Sequence, residues 1–99
     1  MPLTREHAEK VLAEYEKWTV HRKYTEEILV MEYSVRQYWL CYGSGPSSRA
    51  TPYLVVRTNG CDIYTLLNFV NYCEMQEVHG IPCLVMGDKE SSIALEIKD

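Results

Sequence analysis

Cys73, His79 and Cys83, with Cys61 twelve residues before the first of them, are side chains that zinc accepts, and Asp88 followed by Glu96-x-Lys98 is a set that could hold a divalent cation between carboxylates. Neither spacing serves that chemistry well. The steps from 73 to 79 and from 79 to 83 match no common zinc knuckle, and Cys73 falls on an apolar stripe. Asp88 and Glu96 bracket an extended segment that would hold them roughly 20 Å apart at about 3.3 Å per residue. A thiol nucleophile needs a base within hydrogen-bond reach, and nothing in the sequence sets His7, His21 or His79 beside a cysteine. The Gly43-Ser-Gly-Pro-Ser-Ser48 stretch offers N–H groups and hydroxyls to an anion, but it lacks the lysine and the strand-to-helix context of a phosphate loop. The expectation is therefore no catalytic residue, no metal and no cofactor.

The aromatic set is more informative. Eight Tyr and two Trp stand against one Phe, and rings with a polar handle suit protein interfaces as well as the edges of a small core. The formal charge of −4 gives little reason to bind phosphate backbones, so nucleic acid is not expected as a partner. Residues 1–27 hold five basic and six acidic groups, residues 28–60 three and one, and residues 61–99 two and seven, so the segments run −1, +2 and −5. The acidic last third is either a solvated surface or a field that steers a basic partner. On the second reading Glu74, Glu77, Asp88 and Glu90 form an acidic partner-binding face, with Tyr42 and Tyr53 as anchors near the Gly43–Pro52 loop.

Ninety-nine residues make one domain, 1–99, with room for one modest core. No apolar run approaches the ~20 residues of a membrane span, so no membrane association is expected. The first residues lack the apolar stretch of a secretory signal, which points to a reducing cytoplasm and free, mostly buried thiols; the even count of four cysteines leaves a disulfide pair open.

Ala8, Val11, Leu12, Tyr15 and Trp18 recur at helical steps, with Thr4 as N-cap and Leu3 and Ala8 as a hydrophobic staple. From Leu29 to Cys41 every second residue except Gln37 is apolar, which reads as a half-buried ribbon bent near Arg36–Gln37; a helix between Thr25 and Gly43 is the competing reading. Residues 43–52 read as a loop. Tyr53–Thr58, the Asn59-Gly60 turn and Cys61–Tyr64 read as a hairpin. Leu66, Phe69, Val70 and Cys73 read as a second helix from Thr65 to about Val78, ended by Gly80 and Pro82. Two short strands, Cys83–Met86 and Ser92–Ile97, close the chain. The expected class is α+β, a mainly antiparallel sheet with both helices on one face.

Within this framework Gln37-Tyr-Trp-Leu-Cys-Tyr42, Ala50-Thr-Pro-Tyr-Leu-Val-Val56 and Asn59-Gly-Cys-Asp-Ile-Tyr64 resemble the aromatic strand and the Pro-strand-turn-strand segment of a small bacterial family of immunity proteins and chaperone-like proteins of polymorphic toxin systems. The likeness covers about residues 27–66. Tyr38 stands where that family has Gly, and the chain runs on past the second expected helix. The resemblance implies a role without implying site residues: binding and neutralising a partner protein, such as a toxin, nuclease or defence component. The expected function is thus a non-enzymatic protein-binding module, an immunity-type inhibitor or phage-borne antagonist. The competing readings are a metal-dependent nuclease-like enzyme using Asp88, Glu96 and Lys98, a thiol enzyme, and a structural homodimer.

Overall fold

The computed structural model describes residues 1–20, 25–43 and 51–99. The helix α1 (Arg5–Val20) is followed by β1 (Glu26–Tyr33), β2 (Arg36–Tyr42), β3 (Tyr53–Thr58), β4 (Cys61–Leu67), β5 (Tyr72–Val78), β6 (Ile81–Gly87) and β7 (Ser92–Glu96). All pairings are antiparallel, in two meanders: a four-stranded sheet in the order β1-β2-β3-β4 and a three-stranded sheet in the order β5-β6-β7. The broad α+β expectation holds.

Helix α1 begins where its sequence says it should. The Thr4 hydroxyl accepts the His7 N–H at 3.1 Å, and Asp99, at the other end of the sequence, takes the Arg5 N–H at 2.9 Å. Ala8, Val11, Tyr15 and Trp18 form the buried stripe, and it touches both β1 and β5. One core results, in which Val30, Leu40, Tyr42 and Leu54 from the first sheet meet Leu84 and Met86 from the second. Trp18 stacks on Tyr42 with centroids 5.8 Å apart and planes at 13°, a contact worth about 0.5–1.5 kcal/mol beyond area burial.

The second expected helix is absent, and this is the main correction. Residues 65–67 finish β4, residues 68–71 cross between the sheets, and Tyr72–Val78 is a strand. Its alternation is regular: Cys73 and Met75 turn to the core opposite Met86 and Leu84, whereas Tyr72, Glu74 and Gln76 take the other face. Gly80, expected to stop a helix, instead forms a two-residue hairpin turn with His79, both at positive φ of 79° and 53°.

The 28–42 ribbon is β rather than helical, but its buried parity differs from the expectation. A bulge at Val30 shifts the register between Leu29 and Met31, and the turn falls at Ser34–Val35, slightly before the expected bend. Val30, Leu40 and Tyr42 face the helix, while Tyr33 and Val35 stand in solvent. At the bulge the Leu29 carbonyl accepts a hydrogen bond from His7 Nε2 at 2.6 Å, so that nitrogen carries the ring proton. Most of the loop expected over 43–52 lies outside the described residues.

The crossing segment is tied at three points. The Tyr15 hydroxyl donates to the Val70 carbonyl at 2.9 Å, the Val70 N–H to Pro52, and the Asn71 N–H to Gly87. Gly87 has φ 149°, and a Cβ there would come within 2.2 Å of the Ser91 carbonyl oxygen, so only glycine fits. Tyr15→Phe leaves the ring in place and orphans the buried Val70 carbonyl. The expected loss is about 1–2 kcal/mol, read as a lower urea midpoint at unchanged slope.

Candidate functional site

The acidic residues do not gather on one face. Glu74 lies on the outer face of the second sheet and accepts Gln76 Nε2 at 2.6 Å. Glu77, on the opposite parity of β5, borders a 420 Å³ cavity with Arg5, Met75 and Pro82. Asp88 is a turn former: one carboxylate oxygen accepts the N–H groups of Glu90 and Ser91, both at 2.8 Å, and these bonds hold its pKa below the ordinary value. Glu90 is exposed in that same turn. Of the two expected anchors, Tyr42 is buried against Trp18 and offers nothing to a partner, and Tyr53 is half-buried opposite Cys41.

The residues capable of bond-making chemistry are likewise separated. Asp88 precedes β7 while Glu96 ends it, so their carboxylates stand at opposite ends of that strand. Cys73 faces the core and Cys83 the other side of the second sheet, with His79 in the turn between their strands. Among the described residues no group of three His, Cys, Asp or Glu side chains is placed to hold a metal. Burial pushes the Cys41 thiol up to about 11 and the Cys73 thiol up to about 12, which keeps both protonated at neutral pH. Cys61 is exposed at the start of β4.

A different cluster does assemble, on the first sheet's face away from α1. Arg57 of β3 donates Nη1 and Nη2 to the two oxygens of Glu27 on β1, at 3.1 and 2.7 Å, and Nε to Asp62 on β4. Its guanidinium lies 4.7 Å from the centroid of Trp39 on β2, whose indole N–H reaches Gln37 at 3.1 Å. All four strands contribute. The fork geometry uses every guanidinium edge, so Arg57 is a clamp across the sheet rather than a free ligand-binding cation. The sequence held a signal for it: Arg57 and Asp62 flank the Asn59-Gly60 turn, where cross-strand pairing is forced.

The exposed apolar groups concentrate at the end of the first sheet that carries the β1–β2 turn. Tyr33 is 68% exposed, Val35 72%, Ile63 53% and Tyr64 41%. Tyr33 is the cross-strand partner of Arg36, and Arg36 Nη1 donates to the Tyr64 hydroxyl at 3.4 Å. The sequence concealed this end because the ribbon's parity placed Tyr33 and Val35 inside. Beside it a 300 Å³ slot opens between Met31–Ser34 of the β1 end and Ala94–Glu96 of β7, with Met1–Leu3 along one side. Main-chain bonds cross there: the Glu32 N–H donates to Met1 at 2.9 Å and the Lys98 N–H to Leu3 at 2.8 Å.

Hydrogen bonding from Arg57 lowers the Glu27 pKa from its ordinary value of 4.5. A lowered carboxyl stabilises the fold fully above that ordinary value and loses its contribution as pH falls through the shifted one. Glu27→Gln is expected to flatten the stability profile below about pH 4.5 and to cost no more than about 1 kcal/mol at neutral pH, since Glu27 is 44% exposed. Urea midpoints across that pH range measure both effects. Compared with protein-family models, curated proteins and solved structures, the chain matches none.

Proposed function

We propose that this chain is a non-enzymatic protein-binding module, acting as an immunity-type inhibitor or phage-borne antagonist that occludes a partner protein. The reading is carried by the exposed end of the first sheet, where Tyr33, Val35, Ile63 and Tyr64 surround Arg36. Tyr and Arg on an apolar patch are the side chains that most often anchor protein interfaces, and large side chains left together in water mark a surface meant to be covered. A standard interface takes about 800 Å² from each partner, and a domain this small would commit a sizeable share of its surface to it. Occlusion needs no reaction at the surface, in keeping with thiols held protonated and an Asp88 carboxylate already engaged by its own turn.

The acidic excess of residues 61–99 gives the module a steering field for a basic target, spread over the second sheet and its turns rather than concentrated in one face. It sets the approach, and the aromatic end supplies the grip.

Tagged protein used as bait in the native host is expected to retain a specific partner. The double variant Tyr33→Ser with Tyr64→Ser is expected to weaken that complex roughly thirtyfold or more, at about 2 kcal/mol for each anchor lost. Its far-UV circular dichroism and melting should match the parent. Retention unchanged in the folded double variant would count against this surface.

A further inference from the structure

Four strands lie at sheet edges: β1 and β4 in the first sheet, β5 and β7 in the second. Edges invite pairing unless something spoils them. Strand β1 carries the bulge at Val30 and gives its Glu32 N–H to Met1; β4 carries two bulges, at Ile63 and Leu66; β5 lies against α1. Only β7, Ser92-Ile-Ala-Leu-Glu96, keeps an unbroken register without proline, lysine or a covering element.

The hydrogen-bond phase of β7 follows from its neighbours. The Ile97 N–H donates to Pro82 on β6, and the Asp88 N–H to Ser91 across the turn. Alternation then turns the main-chain groups of Ile93 and Leu95 toward β6 and those of Ser92, Ala94 and Glu96 away from it. Lys98 is in the outward phase, and its N–H already donates to Leu3. The N-terminal segment thus occupies the first rung beside this edge, and the 300 Å³ slot continues the same line past Ala94.

We infer that this slot takes an extended segment of the partner protein, paired to β7 by main-chain hydrogen bonds and built from alternating apolar and basic residues; the inference rests on the protein-binding reading above. One side of the inserted strand would meet Leu3, Met31 and Leu95, which are apolar. The other would meet Glu32 and Glu96, opposed by Lys98 alone. Main-chain pairing supplies affinity in such additions, and alternate side chains supply selectivity. The slot's walls on both sides favour a single inserted strand over a second copy of this chain, which would bring a whole sheet with it.

The test uses the full chain and a blocked peptide of sequence Lys-Val-Lys-Val-Lys-Val, with Glu-Val-Glu-Val-Glu-Val as control, followed by amide NMR. Saturable shifts are expected at Ser92, Ala94 and Glu96 with the basic peptide and not with the acidic one. Ala94→Pro removes an N–H that points away from β6 and should weaken binding at least tenfold; if that variant fails to fold, Ala94→Lys should weaken it by placing a cation against the basic strand. Equal binding of both peptides, equal binding by the variants, no saturation by about 1 mM, or a dimer that Ala94→Pro dissociates would each overturn the proposal. A host partner that is retained by Ala94→Pro but lost on replacing Tyr33 and Tyr64 would overturn the edge proposal alone and leave the protein-binding reading standing.

Discussion

One helical stripe is asked to serve two sheets. Ala8, Val11, Tyr15 and Trp18 are covered only when the four-stranded and three-stranded meanders both close on α1, because neither sheet has a second layer of its own. A small chain buries a limited share of its surface, so sharing the helix makes one core from what would otherwise be two inadequate ones. The polar ties follow from that arrangement. The Tyr15 hydroxyl holds the crossing segment at Val70, and Asp99 caps the helix whose first turn lies beside the chain's end. Beginning, middle and end of the sequence all converge on α1.

The sequence was legible where a local rule had no competitor. Thr4 capping, the apolar stripe of α1 and the Asn59-Gly60 hairpin are each settled within a few residues, and each stands as read. It misled where two periods fit the same letters. Leu66, Phe69, Val70 and Cys73 satisfy a helical repeat, yet Val70 is needed to tie the two sheets and Cys73 alternates with Met75 in a strand. Tertiary pairing with β6 outweighs the helix preference of Glu74, Gln76 and Glu77.

The parity of β1 and β2 went astray for a different reason. A period-2 pattern identifies a buried face only while the register is unbroken, and the bulge at Val30 inserts a residue that puts Val30 and Met31 on the same side. The other face is not idle. Trp39 and Gln37, which the alternation assigned to the interior, lie beneath the Arg57 clamp, where a cation tied to Glu27 and Asp62 roofs an aromatic ring. A sheet with a helix on one side and a charge-capped aromatic on the other shows apolar residues in both phases, and alternation alone does not say which phase meets the helix.

The same structural demands explain why the chemically suggestive residues form no shared site. Asp88 spends its acceptors closing the β6–β7 turn; Cys73 fills a core position; Arg57 is saturated by two carboxylates. Each is occupied by the fold. What the fold leaves unspent is of another kind: the tyrosines around Arg36, beyond the reach of α1, and the outward main-chain groups of β7, the edge without a bulge. Both adjoin the slot beside Met1–Leu3. Unsatisfied capacity concentrated at one end of a small domain is what recognition by surface requires, and it arises because a single helix is too short to cover everything that two sheets present.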